Sequence, residues 1–99
     1  MPFENHGNRS FTMNSIYKNA PAESGVYGLS NSQHWIYIGE SSNLRLQLMD
    51  HLRKADGFGV GQRPTGFTYE LCAPEDRVAR QNRLVSELEP LGDWQATEA

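Results

Sequence analysis

Two tyrosines, Tyr27 and Tyr37, are the first residues of this sequence whose chemistry suits a functional site. Both lie in short segments rich in β-branched and aromatic residues, 25–29 and 34–39, which predict a β-hairpin. A turn centred on Ser32 would place the two tyrosines directly opposite each other on one face of the hairpin. Two facing phenols could donate, accept or shuttle a proton beside a ligand, and paired aromatic side chains also stabilise hairpins without any other role.

A polar pair, Gln47 and His51, lies one helical turn apart in the next segment. Residues 41–43 supply helix-capping side chains, and the helical pattern stops at Gly57. The apolar side chains recur at helical spacing, at Leu44, Leu48 and Leu52. Gln47 and His51 border this stripe, so we expect their side chains to lie together at the edge of the core.

A third candidate, Gln81, lies on a second helix that is predicted to open at residues 74–76, where proline and acidic residues favour the first turn. The apolar stripe of this helix is predicted to consist of Val78, Val85 and Leu88, with Leu84 beside it. Gln81 lies in the middle of that stripe, and a buried amide without partners costs roughly 1–3 kcal/mol. We therefore expect Gln81 either to bond at the junction of helix and sheet or to line a polar hole, where all five candidate side chains could converge.

The elements that must position these residues form a small α+β domain in the order β-β-α-β-α. Residues 66–72 alternate as a third strand does, and the glycine-rich residues 55–66 predict a loop. We expect a three-stranded antiparallel sheet flanked by helices, within a domain that spans residues 21–92. Residues 1–20 are predicted to form a poorly ordered arm with about one turn near 13–19, and residues 93–99 an acidic tail.

Length and charge restrict the classes of protein that this chain can represent. Its 99 residues suit one domain, and its formal net charge is -3. Residues 43–83 have a small basic excess and residues 84–99 are acidic, so charge alone neither requires nor excludes nucleic-acid binding. The chain lacks an apolar run that could cross a bilayer and a signal-peptide pattern at its start, and Cys72 is its single cysteine. These features predict a cytoplasmic protein without a membrane partner.

The two tyrosine segments and both helices resemble the GIY-YIG nuclease domain. The residues that carry the resemblance are Gly25-Val26-Tyr27, Tyr37-Ile38-Gly39, Asn43-Leu44-Arg45 with His51, and the closing helix with Gln81-Asn82, Leu84-Val85, Glu87-Leu88 and Pro90. It covers about residues 21–90 in the family's element order.

The resemblance implies a catalytic role for each of the five candidates. Tyr27 and Tyr37 match the tyrosines that position and activate the attacking water, and His51 matches a histidine or tyrosine of the first helix. Gln47 stands where the family has an arginine that steadies the phosphate, and Gln81 where it has the glutamate that holds a divalent metal. Because both charged positions carry glutamine, the sequence is identified as a degenerate member of the family.

These two departures predict a catalytically impaired domain that still binds nucleic acid, DNA more readily than RNA. An amide oxygen is a weak ligand for a hard cation, and glutamine lacks the charge and fork of a guanidinium. If the domain were active, Mg²⁺ or Mn²⁺ would be its cofactor, with Gln81, Glu40 or Asp50 as ligands. The residues expected to contact phosphates are Arg45, Arg53, Arg63 and Arg77, of which Arg77 is best placed to replace the lost charge.

Three alternatives remain at this point. The chain could be an active nuclease that hydrolyses phosphodiesters with rearranged residues, or a protein-interaction module on the same fold that binds a protein partner or forms a homodimer. Glutamines introduced into an enzyme to trap a complex would produce the same pattern.

Overall fold

The computed structural model describes residues 9–31, 35–54 and 64–88. Within them, four strands form one antiparallel sheet in the order β1-β4-β2-β3. The elements in chain order are β1 (Arg9–Ser10), α1 (Met13–Asn19), β2 (Gly25–Ser30), β3 (Trp35–Ser41), α2 (Leu44–Arg53), β4 (Gly66–Leu71), a 3₁₀ turn (Pro74–Asp76) and α3 (Arg77–Leu88). None of the helices described is long and apolar enough to cross a membrane.

The predicted α+β class and the β-β-α-β-α order are confirmed for residues 25–88. The sheet gains a fourth, two-residue strand because β1 pairs with β4 through Arg9↔Phe67 and Ser10↔Gly66. The third strand, predicted over residues 66–72, is β4. Of the predicted loop, residues 55–63 lie outside the described residues, as do residues 1–8 of the arm and the tail at 93–99.

The prediction of a poorly ordered arm is wrong for residues 9–20. The side chain of Thr12 caps α1 by accepting a hydrogen bond from the main-chain N–H of Ser15 at 3.2 Å. Phe11, Ile16 and Ala20 are all buried in the core. The turn predicted near residues 13–19 coincides with α1, but a seven-residue helix is too short to show a clear apolar period, so the burial of its apolar residues was not predicted.

The hairpin register differs by two residues from the predicted one. Tyr27 pairs with Gly39 and Leu29 pairs with Tyr37, so the two tyrosines are diagonal neighbours and do not face each other directly. The ladder is irregular between Leu29 and Ser30, which a symmetric turn at Ser32 does not anticipate. A shift of two residues keeps every side chain on its face, so Tyr27 and Tyr37 still share one.

The sheet carries a buried cluster on each face. All six residues of β2 are buried, because the side chains of a strand point alternately to the two faces and both faces are covered. Tyr27, Leu29 and Phe67 pack with α1 and α2 on one face, whereas Val26 and Ile38 pack against α3 on the other. Alternate residues of β2 therefore serve different layers, as the period of a strand requires.

α2 follows the prediction closely at its start. The side chain of Asn43 accepts a hydrogen bond from the main-chain N–H of Leu46 at 3.1 Å and so caps the helix. Leu44 and Leu48 are fully buried, and His51 joins them with 1% of its surface exposed. The helix ends at Arg53, one turn before the predicted stop.

The predicted apolar stripe of α3 is wrong at Val78 and Val85, whereas the predicted Leu84 and Leu88 do pack on the sheet. Leu84 is fully buried, whereas Val78 and Val85 are 58% and 38% exposed. Leu88 packs beside Leu84, so this pair gives α3 its apolar contact with the sheet. The inward positions one and two turns earlier are polar, which hides the true face from a search for apolar periodicity.

Candidate functional site

A cavity of about 400 Å³ lies beside β3, which is one of the two edge strands of the described sheet. Its described lining comes from four elements: Tyr27 on β2, Tyr37 and Glu40 on β3, Gln47 on α2 and Gln81 on α3. Four of the five candidates from the sequence therefore meet at one place.

The Tyr27 ring reaches this cavity by lying across Gly39 of the neighbouring strand. A Cβ atom at position 39 would lie 2.5 Å from Oη and 2.7 Å from Cζ of Tyr27. Such distances are too short for any side chain at this position, so the glycine makes room for the tyrosine. Gly39 thus contributes to the site through the space that it leaves.

His51 lies directly behind the cavity and connects three of its residues. The Tyr27 Oη is 2.5 Å from the His51 Nε2, and the Gln47 Nε2 is 3.4 Å from the same nitrogen. The centroids of the Tyr27 and Tyr37 rings lie 5.3 and 5.4 Å from that of His51. The sequence expectation that Gln47 and His51 lie together thus agrees with their contact.

Burial keeps Tyr27 and His51 neutral. Burial lowers the pKa of His51 to about 4, so its imidazole carries no charge at pH 7. Burial, reinforced by Tyr37, raises the pKa of Tyr27 above its usual value, so its phenol keeps its proton. The Tyr27 hydroxyl therefore donates to the His51 Nε2, and the ring proton of this neutral histidine resides on Nδ1.

Gln81 is anchored to the edge of the sheet. Its Nε2 donates a hydrogen bond to the main-chain carbonyl of Ile38 at 3.1 Å. Both outcomes expected for this amide occur together, because Gln81 bonds at the junction of helix and sheet and also lines the cavity. Its side-chain carbonyl oxygen is not used by this bond.

Glu40, the carboxylate among the described lining residues, is paired with an arginine of α3. The Arg77 Nε lies 2.7 Å from the Glu40 Oε1, and the Arg77 Nη1 donates to the Ser24 Oγ at 3.1 Å. The Ser24 hydroxyl in turn donates to the main-chain carbonyl of Cys72 at 2.6 Å. This chain of bonds fixes both charges at one end of the cavity and makes the pair locally neutral.

Comparison with known proteins gives one sequence relative and a set of similar structures. No family model matches the chain. UvrABC system protein C of Hydrogenobaculum sp. (strain Y04AAS1) is 38% identical over 42 residues, which are 42% of this chain and 7% of that protein. The chain thus corresponds to a small part of that relative's length.

The similar structures are of the GIY-YIG N-terminal endonuclease domain of UvrC from Thermotoga maritima. The domain bound to its catalytic divalent cation, magnesium, is 25% identical with a TM-score of 0.64, over 80% of this chain and 96% of that one. A variant of it with one asparagine changed to alanine is 26% identical with a TM-score of 0.61, over 76% and 90%.

The chain belongs to the GIY-YIG domain superfamily.

The described cavity of this GIY-YIG domain does not fit a divalent cation. Magnesium prefers several oxygen ligands with carboxylates among them. Glu40 is already neutralised by Arg77, and Gln81 offers one uncharged oxygen. Among residues 9–31, 35–54 and 64–88, no group of three or more histidine, cysteine or acidic side chains could hold a metal ion.

Asp50, the other predicted ligand, is not among the described residues that line the cavity. It pairs with Arg53 at 2.9 Å and with Lys54 at 3.1 Å on the surface of α2. These two cations hold the pKa of its carboxyl below the usual value. The carboxylate of Asp50 is thus engaged by two cations, and its role as a metal ligand stays a prediction.

The predicted phosphate-contacting arginines of this GIY-YIG domain are engaged with other groups. The Arg45 Nε donates to the main-chain carbonyl of Ala20 at 2.9 Å, and its guanidinium lies 5.8 Å from the centre of the Tyr17 ring. Arg53 and Arg77 are paired with Asp50 and Glu40, and Arg63 lies outside the described residues. None of these three described arginines is among the described residues that line the cavity.

Ser24 is the residue at this site that sequence analysis missed. Its hydroxyl helps to hold Arg77, which lies 53 positions along the chain. A serine in front of a strand is common in loops, so nothing in the sequence singled it out.

Proposed function

We propose that this GIY-YIG domain binds nucleic acid and does not cleave it. The observation that carries the proposal is the uncharged pair Gln47 and Gln81 at the positions where the family has arginine and glutamate. Each amide makes a hydrogen bond within the domain, to His51 and to Ile38 respectively. Both glutamines therefore fit the described fold, because each side-chain amide has a hydrogen-bond partner within the domain.

Catalysis in this cavity would lack the two positive charges that the resemblance implies, those of an arginine and of a divalent metal. A positioned arginine contributes about 10³–10⁵ in rate at other phosphoryl-transfer centres. Without a cation nearby, burial raises the pKa of Tyr27, and a phenol that holds its proton is a poor base for activating water. Loss of cleavage follows from the electrostatics as well as from the missing ligands.

Nucleic acid is the ligand class that the comparisons favour. The similar solved structures are endonuclease domains, and this chain matches nearly the whole length of one of them. DNA is accordingly the first ligand to test.

The decisive experiment measures cleavage and binding of labelled single-stranded and duplex DNA with Mg²⁺ or Mn²⁺. We expect binding at about 50 mM salt that weakens towards 200 mM, and no metal-dependent cleavage. The double variant Gln47→Arg with Gln81→Glu should cleave, because it restores the charge and the carboxylate while Tyr27, Tyr37 and His51 stay unchanged.

Two other results would contradict the proposal. Metal-dependent cleavage by the unaltered domain that disappears in Tyr27→Phe would identify an active nuclease with rearranged residues. Absence of DNA binding at about 50 mM salt would remove the nucleic-acid role.

A protein-interaction module is the second candidate, favoured by apolar side chains on the surface of α1 and α2. Met13, Tyr17 and Leu46 are 56%, 59% and 65% exposed. Concentration-dependent self-association, or salt-insensitive binding of a protein partner that is lost in Tyr17→Ser with Leu46→Ser, would support this role over nucleic-acid binding.

A further inference from the structure

The two helix layers of this domain differ in charge. On one face of the sheet, α1 and α2 with its cap residue Lys54 carry four basic side chains and one acidic side chain, which gives a net charge of +3. On the other face, residues 74–88 carry three basic and three acidic side chains, which balance. The other described residues carry one arginine against three glutamates. The basic excess of the described residues therefore lies on the side of α1 and α2.

The cations on this side of the sheet are accessible to a ligand. With one exposed ring they define what we call the α1–α2 surface, whose side chains are Tyr17, Lys18, Arg45, Arg53 and Lys54. Lys18 is exposed and forms no ion pair with another described residue. The side chains of Arg53 and Lys54 are 72% and 52% exposed and share the carboxylate of Asp50. An exposed ion pair contributes little, and one carboxylate does not neutralise two cations, so these side chains stay available to phosphates.

Two of the three arginines of α3, by contrast, are fixed to the sheet by one carboxylate each. Arg80 binds both carboxylate oxygens of Glu70, with Nε and Nη2 each at 2.9 Å. Arg77 binds Glu40 at 2.7 Å. These side chains are mostly buried, so salt and water screen the pairs less than they screen a surface pair. Of the arginines of α3, only Arg83 is exposed.

An exposed aromatic ring lies among the cations of the α1–α2 surface. Tyr17 is 59% exposed, and the Arg45 guanidinium lies 5.8 Å from the centre of its ring. The Arg45 Nε also donates to the main-chain carbonyl of Ala20, so this arginine is held at the seam between α1 and α2. Proteins that hold single-stranded nucleic acid combine cations for the phosphates with aromatic rings for the bases. The cavity beside β3 lacks this combination, because its described lining includes no lysine or arginine and Tyr27 is 1% exposed.

We propose that single-stranded nucleic acid binds to the α1–α2 surface and not to the cavity beside β3. The four cations of this surface contact the phosphates, and the exposed part of the Tyr17 ring contacts a base. This inference rests on the proposed nucleic-acid function and names the surface that supplies the attraction while Glu40 holds Arg77.

A matched pair of arginine variants tests the position of this surface. Arg53→Gln and Arg83→Gln each remove one charge from an exposed arginine of a helix, on opposite sides of the sheet. By fluorescence anisotropy with a labelled oligo-deoxythymidine, Arg53→Gln should lower affinity about three- to tenfold at about 50 mM salt and reduce the slope of log affinity against log salt by about 0.7. Lys18→Gln should do the same, whereas Arg83→Gln should change affinity by less than about twofold. Equal losses in Arg53→Gln and Arg83→Gln would overturn the inference.

The variant Tyr17→Leu tests the contact with a base, since leucine removes the ring and leaves the charges unchanged. This variant should bind oligo-deoxythymidine about fivefold more weakly and change the affinity for an abasic strand of the same length by less than about twofold. An equal loss on both strands would overturn the base contact, because it would show that the ring acts only by placing Arg45. The substituted positions are exposed, and urea denaturation should show that each variant is folded.

The unaltered domain separates this inference from the proposed function. Salt-dependent DNA binding that none of Lys18→Gln, Arg53→Gln and Tyr17→Leu weakens would overturn the inference and leave the proposed function intact. Absence of DNA binding by the unaltered domain would contradict the proposed function and this inference with it. Binding of a protein partner that these variants weaken, without any effect on DNA, would assign the surface to that partner and overturn the inference.

Discussion

Gln47 and Gln81 differ mainly in charge from the arginine and glutamate that the resemblance implies at these positions, since both remain polar and able to bond. Gln81 uses one end of its amide to bond the main chain of Ile38, which a carboxylate could not do as a donor. A return to glutamate would lose this hydrogen bond and place a carboxylate beside a carbonyl oxygen. The present residue therefore fits the local structure better than the family's own residue would without a metal.

The buried imidazole of His51 should make folding stability depend on pH. Its folded pKa of about 4 lies below the unfolded value of 6.5. In that window the unfolded chain binds a proton that the folded chain does not, so stability falls as the pH falls from 6.5 to about 4. The full effect is about 3 kcal/mol, measurable by urea denaturation across the window.

Two variants distinguish the contribution of His51 to the pH dependence of stability from that of the acidic residues. His51→Gln should show a shallower fall in the free energy of unfolding over the same pH range, whatever its absolute stability. Tyr27→Phe should keep the low pKa of His51, measured by NMR, because burial is the main cause of the shift. Parallel stability curves for His51→Gln and the unaltered protein would show that His51 is not the responsible group.

Much of the candidate site was predictable from residue types and spacing. The structure brings Tyr27, Tyr37, Gln47 and Gln81 to one cavity with His51 behind it, while their roles there stay a prediction. The Glu40–Arg77 pair joins residues 37 positions apart, and no local pattern encodes such a contact. Asp50, Arg53 and Arg77, which were predicted to contact a metal or a phosphate, each pair with a nearby side chain of opposite charge.

Among the elements, α3 offers the sharpest test of packing. Leu84 is fully buried against the sheet, whereas Val78, less than two turns earlier, is mostly exposed. Leu84→Ala should lower the free energy of unfolding by about 2–5 kcal/mol, and Val78→Ala should change it by less than about 0.5 kcal/mol. Chemical denaturation of both variants measures the difference.

Equal losses in the two variants would mean that α3 packs through its other face. That outcome would also move Gln81 away from the cavity, because Gln81 and Leu84 lie on the same side of the helix.

Element types were easier to predict than element faces. α2 shows its leucines at regular spacing and the hairpin shows β-branched residues, so both were predictable from local preference. The inward face of α3 mixes polar with apolar residues, and the hairpin register depends on an irregularity at Leu29/Ser30. Both are decided by tertiary contacts, which single-sequence periodicity does not report.

For the molecule as a whole, paired charges limit the attraction for phosphates. The net charge is -3, and ion pairs occupy Arg53, Lys54, Arg77 and Arg80. Glu40→Gln should free Arg77, raise affinity for single-stranded DNA about three- to tenfold at low salt, and steepen the slope of log affinity against log salt by about 0.7. Fluorescence anisotropy at several salt concentrations measures both quantities.

Glu87→Gln, at an exposed position near the end of α3, makes the same change in net charge and serves as the matched control. It should raise affinity much less than Glu40→Gln. Identical gains would attribute the effect to net charge and leave Arg77 without a special part in binding.

The short strand β1 also joins two parts of the chain that are synthesised at different times. Arg9 pairs with Phe67, and Phe11 donates its main-chain N–H to the carbonyl of Thr65 at 3.0 Å. The β2–β3 hairpin joins neighbours in sequence, so it can close early, but the first described residues wait for a strand that is synthesised much later. During translation the main-chain hydrogen bond from Phe11 to Thr65 therefore forms only after the segment leading into β4 has emerged.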